Sequence, residues 1–146
     1  MTEQLERDLY HNLSYYTLTH PQPGFIHQFI VDAFAAQRAT TRTKPIRLAF
    51  ALVGLYLHIE KGYTGRQVQQ AHMRLARSKR TWPTFKLPEY RGDVTVSDVL
   101  AAQPGAERDA AIEKWCRSVW NAYRESHAQV AQLLEEDAGN HGRLGQ

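Results

Sequence analysis

The stretch Ile46-Arg-Leu-Ala-Phe-Ala-Leu-Val-Gly-Leu-Tyr-Leu-His-Ile59 decides the fold of this chain. It is apolar on every helical face, apart from Arg47 near its start and His58 near its end. A segment of this kind is either a membrane span or the central helix of a bundle. A membrane span requires roughly 20 consecutive apolar residues, and charged residues flank this shorter run. We therefore interpret it as a buried helix against which the other helices pack.

Length and composition favour a single globular domain. The chain has 146 residues, of which 42% are hydrophobic and 23% are charged, values that are ordinary for soluble proteins. A lone cysteine, Cys116, excludes an internal disulfide framework and a CxxC metal site, and it favours a cytoplasmic location. We expect neither a signal peptide nor a membrane-bound partner. The net charge of +3 permits an anionic partner without requiring one.

Apolar residues recur at helical spacing along most of the chain, which predicts an all-α fold. Prolines, glycines and capping residues divide this pattern into a bundle of four to six helices. We expect residues 1–135 to form one helical domain and residues 136–146 to form a flexible tail. The first two predicted helices span residues 2–18 and about 25–38. The third contains the segment 46–59 and ends at Gly62. The fourth begins after the N-cap Thr64 and fades into the basic residues from Arg74 onward. A short helix at 95–102 and a long final helix at about 106–135 follow.

A long loop at about residues 79–94 precedes the C-terminal helices. It contains Pro83, Pro88 and Gly92, which oppose helix formation. It also contains large apolar side chains that are unusual in a loose linker, namely Trp82, Phe85, Leu87 and Tyr90. We therefore predict a loop that packs across the bundle.

The final helix has the clearest periodic pattern. Its apolar positions follow heptad spacing and form one seam: Cys116, Trp120, Tyr123, His127, Val130 and Leu134. Such a seam suits an intramolecular core, and it equally suits a homodimer interface. Cys116 lies among apolar residues, where a buried thiol is unreactive.

A metal site is one hypothesis for the polar residues of the bundle. If the helices alternate in direction, His27, His58, Glu60 and His127 meet at one end. Histidines with a carboxylate in a bundle core suit a divalent transition metal. The alternative is that each histidine forms a hydrogen bond to a carbonyl or a tyrosine within the core.

A second candidate is the basic stretch Arg74, Arg77, Lys79, Arg80, interleaved with Trp82. Cations beside aromatic rings bind phosphate or single-stranded nucleic acid. The favoured alternative is a solvated helix end, where cations suit the helix dipole and the aromatic groups close the core. Nucleic acid is therefore not the expected partner.

Several motifs together resemble a bacterial family catalogued only as a domain of unknown function. They are Phe25-Ile-His-Gln28, Val31-Asp-Ala-Phe34, Glu60-Lys-Gly62, Thr95-Val-Ser-Asp-Val-Leu100 and Trp115-Cys-Arg-Ser-Val-Trp120. The resemblance extends from about Tyr10 to Leu134 and implies no established activity. Longer relatives carry a cysteine-pair segment ahead of the domain, and this chain does not. The architecture is also similar to that of DinB-like helical metal proteins, although the histidine pair four residues apart is missing.

Two classes of function remain open. The first is an interaction or small-ligand-binding module without assignable catalysis, since packing explains every strong pattern. The second is a metal-dependent hydrolase or transferase that uses His27, His127 and either Glu60 or His58. The sequence does not identify a substrate, a certain cofactor or a partner.

Overall fold

The protein is a helical bundle, as the sequence predicts. The structure, a computed structural model, describes residues 2–20, 24–78 and 80–144, with side chains up to residue 139. No strand forms within these ranges. The helices are α1 (Glu3–Thr19), α2 (His27–Gln37), α3 (Pro45–Lys61), α4 (Gly65–Ala76), α5 (Val96–Ala101), α6 (Ala106–Ala122) and α7 (His127–Leu144).

Helix α3 is the central element of the bundle. It packs against α2, α4, α6 and α7, and its side chains from Leu48 to Leu57 are almost all buried. Burying this many apolar groups on all sides stabilises the fold through removal of their surface from water. The prediction of a central buried helix is confirmed.

The junction between α3 and α4 forms as the local sequence predicts. Gly62 ends α3 in the left-handed conformation with φ 71°, which glycine adopts without a steric penalty. Thr64 then caps α4 in a complete capping box. Its side chain accepts a hydrogen bond from the Gln67 backbone, and the Gln67 side chain returns one to the Thr64 backbone.

The loop between α4 and α5 packs across the bundle. Phe85 is buried, and Trp82 and Leu87 pack against the core, whereas Tyr90 is exposed. Arg91 anchors the loop, because its guanidinium donates to the carbonyls of Ala36 and Gln37 at the end of α2. The arginine thus helps to satisfy carbonyls at the end of α2, one of which, that of Ala36, also accepts from the Tyr123 hydroxyl. Apart from Tyr90, the loop confirms the prediction.

The prediction of one long final helix is wrong. The helix ends at Ala122, a 3₁₀ turn spans Arg124–Ser126, and α7 begins at His127, so the described ranges contain seven helices rather than four to six. Two residues seven apart on a straight helix are separated by about 10 Å along its axis. The rings of Trp120 and His127 nevertheless stack with centroids 3.7 Å apart, which requires the chain to turn between them.

Helix α7 continues to Leu144, past residue 135, where we had predicted the helix to end. It is joined to the end of α4 by Asp137, which accepts hydrogen bonds from Ser78 and Arg80. Within the described ranges, no helix is both long enough and apolar enough to cross a membrane.

Candidate functional site

His27 and His58, two of the predicted metal ligands, lie in separate contacts. The Nδ1 atom of His27 is 2.9 Å from the hydroxyl of Thr17, and burial lowers the pKa of His27. The His58 ring stacks on Phe29 and interacts with Glu113 through Nε2.

The other two predicted ligands meet at one indole ring. Trp120 donates from Nε1 to the Glu60 carboxylate at 2.8 Å. His127 stacks on the same indole and bonds through Nε2 to the Trp120 carbonyl at 2.7 Å. No three His, Cys, Asp or Glu residues in the described part of the chain are arranged to hold a metal ion. The geometry therefore divides the four residues among packing and hydrogen-bond roles.

The basic stretch is divided in a similar way. Arg80 forms an ion pair with Asp137 at 3.2 Å, with both side chains largely buried, and Trp82 packs edge-on against Phe50. Arg74 and Arg77 are exposed, and Lys79 lies outside the described residues. Arg80 and Trp82, two of the residues predicted to bind an anion, are therefore held by an ion pair and by packing against the core.

A large cleft lies beside α1, α2 and the start of α3. Its volume is about 1040 Å³, at the upper end of the range for small-molecule sites. Part of its wall is aromatic, since the rings of Tyr10 and Phe34 stack with centroids 4.1 Å apart and Phe50 lies nearby. The remaining wall includes aliphatic side chains from α2 and α3, among them Ala35 and Ala51. We refer to this site as the α1–α3 cleft.

Asp32 is the unusual residue in the wall of the α1–α3 cleft. It is 3% exposed. Its Oδ1 accepts a hydrogen bond from the Gln28 amide at 3.2 Å, whereas its Oδ2 is buried with no hydrogen-bond partner. Burial raises the pKa of the Asp32 carboxyl well above its ordinary value, and the Gln28 hydrogen bond opposes this shift. Because Oδ1 already accepts from Gln28, the proton retained by the carboxyl belongs on Oδ2.

Gly54, in the middle of α3, makes the space for this carboxyl. A Cβ atom at residue 54 would lie 1.9 Å from Asp32 Oδ2, well inside van der Waals contact. Glycine inside a helix costs about 0.5–1 kcal/mol relative to alanine. The fold therefore places an unfavourable helical residue, Gly54, against an unsatisfied buried acid of the cleft wall.

His72 and Tyr10 are further titratable groups in the cleft wall. Nε2 of His72 is 2.7 Å from the Phe50 carbonyl, and burial lowers the pKa of this imidazole. A carbonyl can only accept, so Nε2 carries the proton and Nδ1 keeps its lone pair. Burial also raises the pKa of Tyr10. These groups favour their neutral forms, as Asp32 does.

Cations surround the mouth of the cleft. Arg38 forms ion pairs with Glu6 and Glu3 of α1. Among the described residues, no acidic partner lies within ion-pair distance of Arg42, Lys44 or Arg47, all of which line the cleft. These last residues, which we call the cation cluster, make one side of the mouth electropositive.

The sequence indicates one contact of this site, between Gln28 and Asp32, but it did not identify Asp32 as a site residue. The spacing of four predicts the bond between Gln28 and Asp32, and the structure confirms it. Asp32 is nevertheless buried. The available signal was Gly54, an interior glycine in the most apolar helix of the chain, which local helix chemistry leaves unexplained.

Comparison with protein families shows to which family the chain belongs. A family of unknown function, DUF5946, matches residues 7–124. The chain belongs to this family. The matched region contains α2, α3 and the part of α1 from Arg7 onward, and it omits Glu3 of the cleft lining. No curated protein and no solved structure matches the chain.

Proposed function

We propose that this member of the DUF5946 family is a small-molecule-binding module whose ligand occupies the α1–α3 cleft. The observation that carries the proposal is the Asp32 carboxyl, which is buried in the cleft wall with Oδ2 unpartnered. A ligand that supplies the missing hydrogen bond makes this arrangement favourable.

The energetic cost of the site supports a role in binding. A buried polar atom without a partner costs about 1–3 kcal/mol, and a helical glycine adds to that cost. Neither Asp32 nor Gly54 improves the stability of the empty protein. Groups that break the rules of stable folds at one place in a cleft are typical of functional sites.

The shape and lining of the cleft also suit a small ligand. Ligand sites are concave and largely apolar, with a few polar groups that fix orientation. Here the stacked rings of Tyr10 and Phe34 provide the apolar wall. The Gln28–Asp32 pair provides a polar group within it. Contact between Oδ2 and a ligand in the cleft requires the carboxyl to move away from Gly54, against which Oδ2 packs.

Benzyl alcohol is a suitable neutral probe, because its ring matches the aromatic wall and its hydroxyl can bond Asp32. We expect its titration at millimolar concentration to shift the backbone amide resonances of cleft residues in ¹H–¹⁵N NMR spectra. Ala35→Trp, which places an indole at the cleft wall and obstructs the cleft, should abolish these shifts. Ala122→Trp is the matched control, because Ala122 has similar exposure but lies outside the cleft lining.

The two variants give the proposal a clear test. Shifts that persist in Ala35→Trp, or shifts confined to residues outside the cleft, would show that the cleft is not the binding site. Both variants must retain the dispersed spectrum of the native fold. A loss of binding in both of these folded variants would also contradict the proposal.

A further inference from the structure

We infer that the ligand of the α1–α3 cleft is an oxyanion: a small molecule with an apolar body and a carboxylate or phosphate group that the cation cluster binds, with Asp32 donating a hydrogen bond to one of its oxygens. This inference rests on the proposed binding function and specifies the chemical class of the ligand.

The hydrogen-bond requirement of Asp32 points to an acceptor. The proton retained by this carboxyl lies on Oδ2, because Oδ1 accepts from Gln28. The neutral acid is therefore a buried donor, and no acceptor is paired with Oδ2. A carboxylic acid held neutral in an apolar site is a strong donor to a negatively charged oxygen.

The charge around the cleft favours the same class of ligand. The cations that line it are Arg7, Arg38, Arg42, Lys44 and Arg47, and the acids are Glu3 and the buried Asp32. The net charge of the whole chain is only +3, so positive charge is concentrated here. Guanidinium groups bind carboxylate and phosphate through paired hydrogen bonds.

The start of α3 adds to this positive potential. The N-cap residue Lys44 makes no side-chain capping bond, and the first turn contains no acidic residue. The N-terminal end of a helix carries a partial positive charge that favours anions. Arg42 and Arg47 flank this helix end in the sequence, so the helix dipole and the cation cluster act at the same side of the cleft.

A cationic ligand is the competing class, because an ionised Asp32 would accept a hydrogen bond from an amine. The unpaired cations at the mouth oppose the entry of such a ligand. Burial also disfavours the ionised carboxyl that an amine requires. The electrostatics of the mouth and of the wall thus both favour an oxyanion over an amine.

A series of probes with similar aromatic bodies tests the inference: benzoate, phenyl phosphate, benzyl alcohol and benzylamine. Each is titrated into the protein at constant ionic strength, and dissociation constants are obtained from the NMR shifts of cleft residues. We expect benzoate or phenyl phosphate to bind about tenfold more tightly than benzyl alcohol, the gain of one charge-assisted contact. Benzylamine should bind most weakly. Whether benzoate or phenyl phosphate has the lower dissociation constant distinguishes a carboxylate ligand from a phosphate ligand.

Two pairs of variants separate the contributions. Arg42→Gln combined with Arg47→Gln should remove the tenfold advantage of the oxyanions and leave benzyl alcohol unchanged. Arg74→Gln combined with Arg77→Gln, an exposed pair outside the cleft lining, is the matched control and should preserve the advantage.

Substitutions at Asp32 test its role as a donor. Asp32→Asn retains a donor and should preserve oxyanion affinity within about threefold. Asp32→Ala lacks a donor, so its affinity for the oxyanion probes should be about tenfold lower than that of the native protein.

The outcomes distinguish this inference from the proposed function. Equal affinity of all four probes for the cleft, or tightest binding of benzylamine, would overturn the inference and leave the cleft as a binding site. Oxyanion binding that is equally strong in both arginine pairs would also overturn it. If none of the four probes binds in the cleft, the proposed function itself is overturned.

Discussion

Replacement of Asp32 with asparagine should remove a pH dependence that this residue imposes on stability. The folded protein raises the pKa of the carboxyl well above the unfolded value of 3.8. Between these two pKa values the folded state binds one more proton than the unfolded state. The free energy of unfolding therefore decreases as the pH rises from about 3.8 to the folded pKa, and this contribution is constant outside that window.

The magnitude follows from the proton count. A difference of one bound proton changes the free energy of unfolding by about 1.4 kcal/mol per pH unit. Asp32→Asn removes the titration and leaves a neutral group of the same shape. Its amide places unsatisfied donors near Gly54, at a cost of about 1–3 kcal/mol that does not vary with pH. Relative to the native protein, the variant should thus gain about 1.4 kcal/mol per pH unit within the window.

Urea unfolding at a series of pH values from 3 to 8, followed by circular dichroism, measures this difference. Gln28→Met provides an internal check, because loss of the amide donor removes the interaction that lowers the pKa of Asp32. The pH-dependent loss of stability should then extend to a higher pH than in the native protein. Parallel stability curves for the native protein and Asp32→Asn would refute a neutral, buried Asp32. Titration of the Asp32 ¹³Cγ resonance gives an independent measure.

Three further predictions concern packing around the core. Gly54→Ala should destabilise the protein by about 1–3 kcal/mol through overpacking, yet be neutral or stabilising in an Asp32→Ala background; additive effects in urea unfolding would contradict the contact between residues 54 and 32. Cys116, which is fully buried and whose thiol pKa is raised by burial, should react with a disulfide reagent only as fast as the protein unfolds, so rapid labelling under native conditions would contradict its burial. Asp137→Ala should destabilise the protein by about 3–5 kcal/mol, because Arg80 then remains buried and unpaired. Replacement of both residues with apolar groups should destabilise the protein less. Equal losses of stability in the single and double variants would contradict a buried ion pair.

The elements of the fold were accessible from the sequence because their signals are local. Proline and glycine ended helices at the expected places, and Thr64 capped α4 through a contact only three residues long. The buried position of α3 followed from its uniformly apolar faces. The break after Ala122 was not accessible, because heptad spacing continues through it. The stacking of Trp120 on His127 requires a turn that the pattern does not encode.

The candidate site was less accessible than the fold. The histidines suggested the metal hypothesis, yet the structure gives His27 and His58 different partners and places Glu60 and His127 around one indole. Directions of neighbouring helices do not fix side-chain distances to within the few ångströms that a metal requires.

The sequence by itself determined that the chain folds into α-helices around the segment 46–59, since periodicity and capping act between residues a few positions apart. Only the tertiary structure decided that Asp32 would be buried against Gly54, 22 positions further along the chain. It also decided that Arg42, Lys44 and Arg47 would line a cleft with that carboxyl. The physical reason is that desolvation, and the pKa shift that it causes, depend on every group packed around the carboxyl, and those groups come from different helices.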